Sequence, residues 1–126
     1  MIEIAMEEKE EKKIYDLEER TYVFARDVRL FVKTPSSSIA NVEDGKQVVR
    51  SSGSVGANYI EANEALSKKD FMMRIKISRK EAKESAYWLR LIGELNDGSL
   101  RDEARKLYSE AVELKKIFSS IIEKSK

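Results

Sequence analysis

Neither cysteine nor histidine occurs anywhere in the 126-residue sequence. The first absence excludes a disulfide scaffold, a thiol nucleophile and a zinc finger. The second excludes a Ser-His-Asp triad and any imidazole metal ligand. Proline occurs once and glycine five times, too seldom for a loop-rich or all-β chain. No run approaches the ~18 apolar residues that span a bilayer. A secretory signal needs a basic start, an apolar run and small residues at a cleavage site, and Glu3 with the cluster Glu7 to Glu11 breaks that pattern. Together with the missing cysteines, this leads us to expect a cytoplasmic protein with no membrane contact.

What is present is a hydrophobic fraction of 41% beside a charged fraction of 37%. That mixture is too apolar for disorder and fits amphipathic helices with solvated outer faces. The length favours one domain. The formal charge is +1, too balanced to announce a nucleic-acid partner by itself. The first 13 residues, MIEIAMEEKEEKK, read as a charged tail, either a frayed helix extension or disordered. The tail holds three lysines and five glutamates, so residues 14–126, the expected single domain, are nearer +3.

Caps and spacing predict four helices. Asp16 is placed as an N-cap with Glu19 as its capping-box partner. Leu17, Thr21, Phe24, Val28 and Phe31 then form one face, and Pro35 with the following serines ends the helix. A second helix is expected from about Val42 to Ala65, with Val48, Ser52, Val55, Tyr59 and Ala62 as its core face. Its middle, RSSGSVGAN, is nearly all small. Gly53 and Gly56 each cost roughly 1 kcal/mol against alanine in a helix, and a strand or loop competes there. The spacing runs through without slipping, which favours the helix, with small residues admitting a close neighbour.

Ser67 and Asp70 open the third helix, with Phe71, Ile75, Ser78, Ala82, Ser85, Leu89 and Ile92 inward and an end at Gly93 or at Asn96-Asp97-Gly98. Ser99 with Asp102 is expected to cap the fourth, where Leu100, Ala104, Leu107, Ala111, Leu114, Phe118 and Ile121 make the most regular heptad of the chain. Four consecutive heptad helices with short connections predict an all-α fold, an antiparallel up-down-up-down four-helix bundle with a left-handed twist.

Helix three has more apolar surface than a bundle helix needs. Met73, Ile77, Trp88 and Leu91 lie opposite or beside its core face, and Val23 and Leu30 do the same on helix one. Singly exposed apolar residues are normal, but Trp88 and its stripe favour a subunit interface, hence a homo-oligomer. Lys69, Lys76, Lys80, Lys83 and Arg90, with Tyr87 among them, form a basic strip on helix three. It reads as a solvated face or as a surface tracking phosphates of RNA or DNA, by backbone and not by base sequence. Glu61, Glu64, Glu81 and Glu84 form i, i+3 pairs on neighbouring helices. Di-iron bundles use Glu-x-x-His, so an arginine or asparagine partner for Glu61 or Glu84, from Arg50 or Asn58, is the better reading. No nucleophile with a base and no phosphate loop occurs. The expectation is no enzyme, no cofactor and no metal.

Three stretches, DLEERTYVFARDVRLFVK, QVVRSSGSVGANYIEANEA and SKKDFMMRIKISRKEAKESAYWLRLI, resemble the four-helix-bundle proteins encoded in 23S ribosomal RNA intervening sequences, over roughly residues 14–124. The most specific part is R-S-x-x-S-V-x-A-N-Y-x-E-A from Arg50 to Ala62, with Ser67-Lys68-Lys69-Asp70-Phe71 and the Glu-x-x-Tyr-Trp-Leu run ending at Leu89. The resemblance implies a homopentamer. It extends to accessory variability-determinant proteins of diversity-generating retroelements, which bind nucleic acid and a reverse transcriptase through basic surfaces. By motif, Arg50, Ser54, Asn58, Glu61 and Glu84 are signature positions, read here as structural polar residues in or near the core. The alternative function is a scaffold for a protein partner, such as a reverse transcriptase, without nucleic-acid binding.

Overall fold

The computed structural model describes residues 2–126, with side chains from Leu17 onward. Four helices follow one another: α1 (Ile2–Phe31), α2 (Ile39–Asn63), α3 (Lys68–Glu94) and α4 (Gly98–Lys124). Helix α1 starts well upstream of Asp16. Asp16 therefore lies inside α1 and is not the N-cap expected of it; the side chains of residues 1–16, and with them the character of the charged tail, lie outside the described residues. Helix α1 also stops at Phe31, ahead of Pro35, where the Thr34 hydroxyl donates to the Phe31 carbonyl at 2.6 Å.

Side-chain oxygens start the two central helices. Ser38 accepts from the Asn41 amide at 3.2 Å and Ser67 accepts from the Asp70 amide at 3.1 Å, each satisfying one orphan donor of a first turn. Helix α2 therefore begins a turn earlier than its apolar spacing suggests. Helix α4 departs from its sequence signal. Asp97, not Ser99, holds the N-cap position in extended backbone, with no side-chain cap bond, and Gly98 follows at φ +62°. The connection is set by side chains that finish α3. The Asn96 amide donates to the Ile92 carbonyl at 2.8 Å, and Arg101 donates to the carbonyls of Gly93, Glu94 and Asn96. These bonds satisfy the last carbonyls of α3 and carry that helix through Gly93 to Glu94.

Each helix touches its two neighbours in chain order, with α1 also against α4, and the diagonal pairs α1–α3 and α2–α4 lie across the core. Paired residues run in opposite order along neighbours. Thr21 meets Gly56 and Val32 meets Gly45 between α1 and α2. Ser51 shares a 2.8 Å hydrogen bond with Ser85, and Arg74 donates to Asn58 at 3.1 Å, between α2 and α3. Neighbouring helices are thus antiparallel.

The core is the inward stripe of each helix. Phe24, Val28, Val48, Val55, Ile75, Leu89, Leu114 and Phe118 are fully buried, and Tyr59 tilts against Phe118 at 5.9 Å between ring centres. Ile122, not Ile121, closes the α4 stripe, while Phe71 and Leu100 are half-buried. A strict seven-residue count drifts about 20° per heptad against a 3.6-residue helix, which moves the inward position by one residue over a helix this long. Ser51, Ser52, Ser78 and Ser85 fill the α2–α3 seam, each hydroxyl with a partner. Among the described residues no buried side-chain polar atom lacks a hydrogen bond, so this polar core carries no desolvation penalty of the unpaired kind.

The small segment of α2 is helical because α1 presses on it. A Cβ on Gly56 would lie 2.9 Å from the Thr21 hydroxyl oxygen and 3.2 Å from its Cβ. Thr21 is buried and donates to the Glu18 carbonyl at 2.9 Å, so it has nowhere to go. A Cβ on Gly53 would meet only the mobile end of Arg29, at 2.9 Å. Gly56→Ala is therefore expected to destabilise by about 1–3 kcal/mol despite better helix propensity. Gly53→Ala, which only displaces a guanidinium, is expected to be neutral or to stabilise by up to about 1 kcal/mol. Urea midpoints of the two variants measure the difference; a stabilised Gly56→Ala would contradict the close α1–α2 approach.

Candidate nucleic-acid interface

Helix α3 turns about 100° per residue, so Ala82 inward puts Lys69, Lys76, Lys80, Lys83, Tyr87 and Arg90 on the flank towards α4. All six are exposed. Lys69, Lys76 and Lys83 make no ion pair among the described residues; Lys80 reaches Glu81 only at 4.0 Å, and Arg90 donates to Glu94 at 3.0 Å. That hydrogen bond, with the charge of Glu94 behind it and Tyr108 adding to it, raises the Arg90 guanidinium above its ordinary pKa, so it stays charged at any working pH.

The strip does not end at the edge of α3. Gly93 packs against Ala104, where a Cβ would approach the alanine methyl at 3.1 Å. From that contact, equal steps along the antiparallel pair bring Ala82 level with Lys115. Arg79 and Lys83 therefore stand beside Lys115, and Tyr87 and Arg90 stand beside Tyr108 and Arg105. Arg79 and Lys115 are half-buried and Arg105 is exposed, and none of the three has an ion pair among the described residues. The result is a basic face shared by two helices. Its α4 half was absent from the sequence reading. Arg101, Arg105, Tyr108 and Lys115 do follow helical spacing, but only the α3–α4 register shows which flank of α4 meets the strip.

The apolar candidates sit elsewhere. Met73 is half-exposed, while Ile77, Trp88 and Leu91 are half-buried on the flank of α3 turned towards α2. The Trp88 indole N–H donates to Glu84 at 3.1 Å, and its ring meets Tyr87 edge-on at 4.9 Å. Val23 is half-buried and Leu30 is 55% exposed, on the outer face of α1 towards α4. The two stripes thus occupy opposite sides of the bundle, with the basic face on a third.

The signature polar residues line the outer α2–α3 seam. Arg50 donates to Glu81 at 3.2 Å and to Glu84. Asn58 donates to the Ser54 carbonyl and hydroxyl at 2.9 and 3.0 Å and accepts from Arg74. Arg50 is thus the partner of Glu84, as expected. Glu61 is exposed on α2, so it needs no buried partner. The carboxylate that does is Glu81, only 6% exposed, held by Arg50. Arg50 bridges the two α3 carboxylates from the next helix, an arrangement that fixes the α2–α3 register. Among the described residues no group of three or more potential metal-ligating side chains comes together, and no helix is long and apolar enough to cross a membrane.

Comparison with known families matches residues 13–120 to the 23S rRNA-intervening sequence protein family. The chain belongs to that family. A solved relative, a protein of unknown function from the S23 ribosomal protein family of Bacteroides thetaiotaomicron, is similar at 32% identity over 84% of this chain and 97% of that one, with a TM-score of 0.71. No functionally curated protein matches the chain. The relative thus shares both sequence and fold with this chain.

Proposed function

We propose that this intervening-sequence family protein is a non-enzymatic homo-oligomer that binds the backbone of RNA or DNA through its α3–α4 face. The observation that carries the reading is the joining of the α3 strip with Arg79, Arg105 and Lys115 into one two-helix cationic face whose members mostly lack ion pairs. Isolated surface lysines contribute little to stability, so a cluster of unpaired cations on one face is better explained by a polyanion than by the fold. With no recognisable base-reading module in the sequence, phosphate contacts and hence backbone recognition are what the cationic face supports.

The apolar stripes supply the assembly. Contact between the α2–α3 side of one copy and the α1–α4 side of the next joins unlike surfaces, an arrangement that makes a ring when the rotation from copy to copy closes. Arg79, Arg105 and Lys115 of the basic face lie off both contacts, while Tyr87 borders the α3 one through Trp88. Every copy then adds its own face, and moderate sites sum to strong binding. Five copies is the number that the family resemblance implies.

Fluorescence anisotropy of labelled structured RNA and duplex DNA, at low and physiological salt, with light-scattering mass on the same sample, tests the proposal. Micromolar or tighter binding by an oligomer, falling steeply with salt, is the expected result. No binding at low salt would overturn it and leave a scaffold for a protein partner.

A further inference from the structure

The basic face ends in a recess. Where α3 finishes and α4 begins, a cavity of about 380 Å³ opens between the helices. Leu89, Gly93 and Ala104, all buried, close its bottom, and Arg90, Glu94, Arg101, Arg105 and Tyr108 surround it. We propose that this cavity receives one unpaired nucleotide, so that the substrate of the α3–α4 face is single-stranded RNA or DNA in preference to duplex. The inference rests on the backbone-binding reading above and narrows it.

Shape is the first argument. Tracking phosphates on a rigid duplex calls for an exposed cationic surface and makes no use of a recess. A cavity near the lower end of the small-molecule range, open to solvent between α3 and α4 and walled by Tyr108 and the arginine stems, admits a planar ring that has left its stack. Tyr108 stands at the wall with part of its ring exposed. An aromatic ring among cations is the combination by which single strands are held, the ring by stacking on a base and the cations by charge on the backbone.

Charge placement is the second argument. Arg101 has its guanidinium pinned by the carbonyls of Gly93, Glu94 and Asn96, with Asp97 at 3.7 Å. Arg90 is pinned by Glu94. Both are set before any ligand arrives, which lowers the ordering cost of binding. Arg105 has no ion pair among the described residues and is the guanidinium left to take a phosphate, with its planar fork suited to two of the oxygens. Glu94 repels phosphate from its own side of the rim, so it directs the backbone towards Arg105 and leaves the Tyr108 wall for the base.

The experiment compares a labelled single-stranded RNA with a duplex of equal length at one salt concentration, using the full chain and two variants. Tyr108→Leu keeps the apolar bulk and the net charge but removes the ring. Arg105→Gln removes the unpaired cation from an exposed position. The expected result is tighter binding of the single strand, an affinity loss of about 5- to 100-fold for the single strand with Tyr108→Leu, in line with one stacked base, and little change for the duplex. Arg105→Gln should likewise weaken the single strand more than the duplex. Equal affinity for the two forms, or equal losses in both, would overturn the cavity proposal and leave the basic face standing as a general backbone binder. Absence of binding to either form at low salt would overturn both readings. Unchanged circular dichroism of the variants separates these outcomes from misfolding.

Discussion

Lys76→Glu, Lys80→Glu and Lys83→Glu combined are expected to abolish nucleic-acid binding while leaving the helical circular dichroism and the thermal midpoint nearly unchanged. The three lysines are exposed and belong to no hydrogen-bonded network, with Lys80 only 4.0 Å from Glu81. Their removal costs the fold little. For binding the effect is large, because each duplex phosphate contact contributes about 0.9 to the slope of log affinity against log salt. Losing three contacts lowers that slope by about 2.7 per copy. The new carboxylates then repel the backbone, so at physiological salt the loss should exceed about 100-fold, with the multivalency of the proposed assembly amplifying it. The decisive reading is the salt series. A variant with wild-type affinity and slope would mean that the α3 strip is merely solvated and that the basic face is not the site.

If the proposed oligomer forms through this stripe, Trp88→Lys should leave monomers of 14.5 kDa by light scattering. The indole is half-buried at the side of α3, beside Ile77 and Leu91, and its N–H reaches Glu84. In a monomer the lysine stem can lie along the same surface, with its ammonium in water near Glu84. The inner core behind it, Leu89 and Ile92, is untouched, so the fold should persist. In the proposed packed contact the same ammonium would be taken out of water, at a cost of several kcal/mol for each interface. Leu30→Lys, on the opposite side of the bundle, should dissociate the assembly equally, since a contact between unlike faces uses both. Dissociation by Trp88→Lys alone would instead indicate a two-fold contact through α3. Retention of mass by both variants would remove the stripes as the interface.

The polar residues of the α2–α3 seam show what is and is not readable from one chain. The arginine at position 50 and the carboxylates of α3 are visible as complementary charges, and the Arg50–Glu84 pair is found. That Glu81 is the buried member, and that Asn58 takes Arg74 while Glu61 stays in solvent, depends on the angle at which two helices cross. A rotation of one residue would exchange these roles. The cap of α4 shows the same limit. Ser99 and Asp102 satisfy the local rule for a helix start, yet Asn96 and Arg101 bind the last carbonyls of α3 and set the turn at Asp97 and Gly98 instead.

What the chain determines alone is the inward stripe of each helix. Leu17, Thr21, Phe24, Val28 and Phe31, or Ala104, Leu107, Ala111, Leu114 and Phe118, are all buried, because a 3.6-residue period forces those positions onto one face and water expels them together. The absence of histidine and cysteine likewise settles which chemistries lack their side chains. The tertiary structure decided everything that depends on two helices at once. It brought Arg79, Arg105, Tyr108 and Lys115 to the α3 strip, opened the cavity beside Gly93, and placed the apolar stripes on opposite sides of the bundle. The reason is physical: helical periodicity is a property of one segment, whereas register and rotation between segments come from packing, where Gly93 meets Ala104 and Gly56 meets Thr21.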